Sequence, residues 1–177
     1  MKTLFSRRNP LIFGIAFILL MFAGCRPNKQ DAVSRLTNAL SSYTWSSQDV
    51  NHITQAISHI NDALDNENWI DDTHLTSEGG KRVFKSDTKT VKELVKVDAG
   101  ELTVINDAIA DITQGDLGVS GTLVQDAMND VDADPDEVAL AEAAWNAAFD
   151  AVGASDHLAI IANSEEAWQH AWKALHP

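Results

Sequence analysis

Apolar residues recur at three- and four-residue steps along almost the whole chain. No stretch alternates with the period of two that a half-buried strand requires, so the sequence is bound to helices. Val33, Leu36, Leu40 and Tyr43 form one such stripe. Val50, Ile53, Ile57, Ile60 and Leu64 form a second, with Ser46 and Ser47 in front of it as helix caps. The stretch 66–80 is the least regular and predicts a loop, bounded by Asp71-Asp72 and Gly79-Gly80, that leads into a helix over 82–97. Leu102, Ile105, Ile109 and Ile112 follow, opened by an acidic capping box of Asp98 and Glu101 and stopped at Gly115. Leu117, Val124, Met128 and Val131 predict a separate helix, weakened at its start by Gly118 and Gly121. In Asp134-Pro135-Asp136-Glu137 the first Asp accepts from orphan amides, Pro fits the first helical position, and the two acids oppose the helix dipole. That helix runs through Val138, Ala141, Trp145, Phe149 and Val152 to Gly153. Ser155 opens a last segment carrying Leu158, Ile161, Trp168, Trp172 and Leu175, with a break expected at Asn163-Ser164. The expectation is an all-α bundle of six or seven short helices.

The amino terminus follows a different order. Lys2, Arg7 and Arg8 give a positive start without any acid. The apolar run 11–22 comes next, then the small residues Ala23 and Gly24, then Cys25. The run is short of the roughly 20 residues that cross a hydrocarbon core as a helix, so an export signal that is removed fits better than an anchor. Phe22-Ala23-Gly24-Cys25 resembles the lipobox of bacterial lipoproteins, with Phe22 where that motif usually carries an aliphatic residue. The resemblance is confined to this segment. It implies that residues 1–24 are a cleaved signal peptide and that Cys25 becomes the lipidated amino terminus, palmitate among its chains. It also implies that Arg26, not being Asp, favours the outer membrane over inner-membrane retention. Residues 25–30 are then a lipidated tether and residues 31–177 a single helical domain. Acyl burial at about 0.8 kcal/mol per methylene makes several chains a stable anchor.

Charge is distributed unevenly over the 177 residues. Residues 26–97 carry 9 basic and 10 acidic groups, whereas residues 98–177 carry 16 acids and the single base Lys173. A surface of that sign repels phosphate backbones and argues against a nucleic-acid partner. One cysteine excludes an intramolecular disulfide framework and a cysteine-built zinc site.

Within the acidic half, Asp107 with Asp111 and Asp126 with Asp130 are like-charged pairs four apart, and Asp132, Asp134 and Asp136 extend the series. Their alternation resembles a calcium loop, but Pro135 stands where the sharp turn needs Gly, and Ala141 where the bidentate acid belongs. The helix-cap reading of that segment is preferred, with the aspartates kept as a cation or partner face. His52 and His59 lie two turns apart with Ala56 between them. His74 with Glu78, and Glu166 with His170, are ordinary helical neighbours, so no metal centre and no cofactor is assigned. The segments 142–152 and 165–175 align without gaps as two Ala-rich, aromatic-bearing helices, which predicts a packed hairpin. Trp168 and Trp172 are the aromatic contact residues should that face be open. No nucleophile elbow or phosphate-binding loop is present, and the reading leans away from an enzyme. The expected function is a membrane-anchored, non-catalytic binding or scaffold lipoprotein whose acidic half docks a basic protein. The alternative is a calcium-like divalent-cation binder.

Overall fold

The computed structural model describes residues 25–98 and 102–177, so the segment expected to be an export signal lies outside the described residues, as does Glu101 of the expected capping box. Six α-helices make up the described chain: α1 (Cys25–Ser42), α2 (Ser47–Ala63), α3 (Ser77–Leu94), α4 (Leu102–Asn129), α5 (Pro135–Gly153) and α6 (His157–Leu175). A short 3-10 turn, Asn66–Asn68, precedes α3, and Trp69 and Leu75 pair through one isolated antiparallel bridge. Among the described residues there is no strand, and no helix is long and apolar enough to cross a membrane.

The caps follow the chemistry of the sequence. Ser46 accepts from the Asp49 amide at the start of α2, and Asp134 accepts from the amides of Asp136 and Glu137 with Pro135 opening α5. α5 and α6 form the expected antiparallel hairpin, in which the Asp134 amide donates to the Ala174 carbonyl 3.0 Å away. Ala141, Ala144, Ala148 and Ala151 of α5 are buried, as are Ala167, Ala171 and Ala174 of α6, so the two backbones approach closely.

Three expectations about helix ends are corrected. Residues 25–30, expected as a lipidated tether, lie within helix α1. The break at Gly115 does not exist, because α4 runs unbroken for 28 residues through Gly115, Gly118 and Gly121. A Cβ at Gly115 would stand 2.9 Å from the Cys25 carbonyl oxygen and 3.5 Å from Lys29 Nζ, so this glycine admits α1 rather than ending α4. Nor does α6 break at Asn163-Ser164; Ser164 is buried within it. The left-handed residue between α5 and α6 is Ser155 (φ 55°), and Asp156 is the cap of α6.

Gly79 and Gly80, expected as loop, are buried in the first turn of α3, and Gly80 seats the Trp168 ring. A Cβ there would come within 2.4 Å of ring carbons. Gly80→Ala is therefore expected to destabilise the bundle by about 1–3 kcal/mol through overpacking. Gly153→Ala, with nothing within 4 Å of the added carbon, is expected to stabilise it by about 0.4–1 kcal/mol. Urea denaturation of the two variants beside the parent checks the opposite signs.

Candidate functional site

The apolar stripes of three helices each hold one charged residue at a core position. On α1 the buried series is Cys25, Lys29, Ala32, Leu36 and Ala39. On α3 it passes Gly80, Val83, Phe84, Asp87, Val91 and Leu94, and on α4 it passes Ile105, Ile109, Ile112, Asp116 and Val119. The three charged members converge: Lys29 Nζ donates to Asp87 Oδ2 at 2.6 Å and to Asp116 Oδ1 at 2.6 Å. All three side chains have no solvent exposure. The outer oxygens, Asp87 Oδ1 and Asp116 Oδ2, are buried without a hydrogen-bond partner.

Electrostatics in this dry cluster favour one proton more than ordinary pKa values imply. Burial raises Asp116 well above the usual carboxyl range, and the neighbouring Asp87 charge pushes the same way against the pull of Lys29. Burial opposes the charge on Lys29, yet Asp116 and Asp87 together outweigh it and keep its pKa above that of a free lysine. One ammonium, one carboxylate and one carboxylic acid form a neutral set, which is the form a low-dielectric interior tolerates.

The cluster sits one helical turn inside the cysteine. The Arg26 amide donates to the Asp72 carbonyl at 3.1 Å, and its guanidinium donates to the Leu64 carbonyl at 3.2 Å and to Asn66 Oδ1. The same guanidinium lies 5.7 Å over the Trp69 ring. Cys25 is itself buried, and burial pushes its thiol up to about 11.

The aspartates singled out from the sequence are dispersed, and several have partners. Arg35 bonds Asp111 Oδ2 at 3.0 Å and Asp107 Oδ2 at 3.5 Å, which relieves that like-charged pair. Asp126 accepts from His74 Nε2 at 2.9 Å, while His74 Nδ1 faces Asp71 at 2.9 Å. Burial works against the charge on His74, but Asp126 and Asp71 raise its pKa above the ordinary histidine value. Asp71 is likewise opposed by burial and still held at about 2 by bonds from Thr73 and His74. Asp130 accepts from the Asp132 amide, Asp134 caps α5, and Asp130, Asp132 and Asp136 remain exposed at the corner between α4 and α5. Among the described residues no group of three or more His, Cys, Asp or Glu side chains could hold a metal ion.

Of the two tryptophans, Trp168 is buried against Phe84 and Gly80, whereas Trp172 is half-buried and stacked between Trp168 and His176. A groove of about 190 Å³ beside them is lined by Ser77, Lys81, Gln169 and Lys173. His52 pairs with Glu93 at 2.7 Å and His170 with Glu137 at 2.6 Å, so these histidines bridge helices.

Sequence reading missed the central cluster. Lys29 was assigned to the tether, and Asp87 and Asp116 stood among many carboxylates. The available signal was positional, since each occupies a slot at three- or four-residue spacing from buried apolar neighbours.

The fold and site define an all-helical bundle built around a buried lysine and two acids. No known family model, curated protein or solved structure matches the chain.

Removing the cation leaves two buried carboxyls without a counter-charge. Lys29→Met is expected to cost about 3–5 kcal/mol, whereas the exposed Lys81→Met stays within about 0.5 kcal/mol of the parent. Thermal and urea unfolding of both variants measures the contrast.

Proposed function

We propose that the chain is a lipoprotein of the bacterial envelope, anchored through Cys25, whose helical bundle binds or scaffolds a protein partner and performs no catalysis. The observation that carries the reading is the order of positive start, apolar run, small residues and cysteine. It is supported by the length of the apolar run, which is too short to cross a hydrocarbon core as a helix and fits a signal that is removed. The thiol faces the core in the unmodified chain, so a diacylglyceryl group on sulfur needs the first turn of α1 to open outward. An outer-membrane address is part of the proposal, on the strength of Arg26 after the cysteine. The docking face is the acidic corner between α4 and α5, where Asp130, Asp132 and Asp136 are exposed, and the partner is a basic protein surface.

Cys25→Ser is expected to abolish incorporation of a palmitate analogue in growing cells and to move the protein from the detergent phase to the aqueous phase on cloud-point extraction. Unchanged labelling and partition in that variant would remove the anchor from the proposal. For the docking face, Asp130, Asp132 and Asp136 are changed together to Lys, and photo-crosslinking in intact envelopes is compared with the parent at the same salt concentration. Loss of a discrete cross-linked species is the expected result, and an unaltered pattern overturns the assignment of this corner.

A further inference from the structure

We propose that Lys29 and Asp116 condense to an intramolecular amide, an isopeptide bond between α1 and α4, with Asp87 as the proton carrier. The geometry is that of reactants already assembled. Reacting atoms about 3–3.5 Å apart define a near-attack arrangement, and a carboxyl oxygen 2.6 Å from Nζ leaves its carbon roughly that far away. Asp87 stands equally close to the nitrogen on its other side, at 2.6 Å. Water, which would solvate the ammonium and compete for the carbonyl, has no access to the three side chains.

The proton inventory balances within the triad. The starting set is an ammonium on Lys29, a carboxylate on Asp87 and a carboxylic acid on Asp116. The ammonium gives a proton to Asp87, which leaves a neutral amine between two neutral acids without changing the net charge. The nitrogen lone pair attacks Asp116 Cγ and the carbon–nitrogen bond forms. Asp87 protonates the departing hydroxyl and takes a proton from the nitrogen. The carbon–oxygen bond breaks, one water leaves, and Asp87 ends protonated beside the new amide. No oxidant, metal or cofactor takes part.

Two features favour the product. The amide replaces a buried ion cluster by neutral groups, and it places a carbonyl and an N–H beside the Asp87 oxygen that lacks a partner. The amine is the minor form, because both carboxyls stabilise the ammonium, but a dry interior does not return the amide to acid and amine. Product therefore accumulates after folding. Asp116 is the electrophile because a carboxylic acid accepts an amine and a carboxylate does not, and burial favours the acid form at that residue. A chain with a single cysteine gains in this way a covalent staple that a disulfide cannot supply.

The test is mass spectrometry of the full chain purified from membranes, followed by tryptic mapping. A cross-link lowers the intact mass by one water and abolishes cleavage after Lys29. It joins the peptide of residues 25–35 to the peptide of residues 97–173. Cleavage after Lys29 with no mass loss in folded protein overturns the proposal. A link from Lys29 to the peptide of residues 86–89 overturns the choice of Asp116, because Asp87 would then be the electrophile. Asp87→Asn keeps the shape but cannot carry the proton. With helicity verified by circular dichroism, it is expected to show the full uncondensed mass, and a condensed Asp87→Asn chain overturns the role given to Asp87. Complete loss of helicity in that variant leaves the parent's mass and peptide map as the deciding measurements.

Discussion

A lysine side chain held between two aspartate side chains in the dry centre of the bundle fixes where three helices meet. Charges in such surroundings contribute little net stability compared with well-packed apolar side chains, but loss of any one member strands the others without compensation. The cluster therefore selects among arrangements. α1 can slide or rotate against α3 and α4 only by exposing Lys29 to a medium that cannot solvate it. Gly115 belongs to the same constraint, since the space its missing side chain leaves is taken by the Cys25 carbonyl and the Lys29 stem.

The helical class was legible from the period of the apolar residues, and the α5 start was legible from its cap. Both are local: the period is set by the spacing of neighbouring residues along each helix, and the cap by the Asp134 carboxylate with the amides of Asp136 and Glu137. The errors share the opposite property. From the local sequence Gly115 reads as a helix stop and Gly79-Gly80 as a loop boundary, whereas the structure uses them to admit a carbonyl, the turn before α3 and a tryptophan ring from elsewhere in the chain. Those are contacts at long sequence separation, and packing outweighs the cost of a helical glycine of about 1 kcal/mol. Lys29 was misplaced for the same reason: its partners lie 58 and 87 residues away.

The acidic half looks different once partners are assigned. Arg35, from the near-neutral half, crosses to Asp107 and Asp111, Lys29 to Asp116 and His74 to Asp126, whereas Arg26, Arg82 and Lys96 pair within their own half. His170 with Glu137 plays the same part between α5 and α6. The charge asymmetry is thus partly internal: the first half supplies cations that the second half lacks, which binds the halves into one body. The surplus is concentrated at the α4–α5 corner, where Asp130, Asp132 and Asp136 face solvent.

The closeness of Lys29 to Cys25 bears on how an anchored bundle could move. A domain on a long flexible linker samples many orientations about its anchor. Here only Arg26, Pro27 and Asn28 separate the cysteine from a side chain locked in the core, even with the first turn of α1 opened for the lipid. Three residues reach at most about 10 Å when fully extended. A lipid at that position would act as a pivot set against the body of the protein. The bundle would then turn about the membrane normal far more freely than it tilts, and what it presents to the surrounding space would be decided by the fold itself.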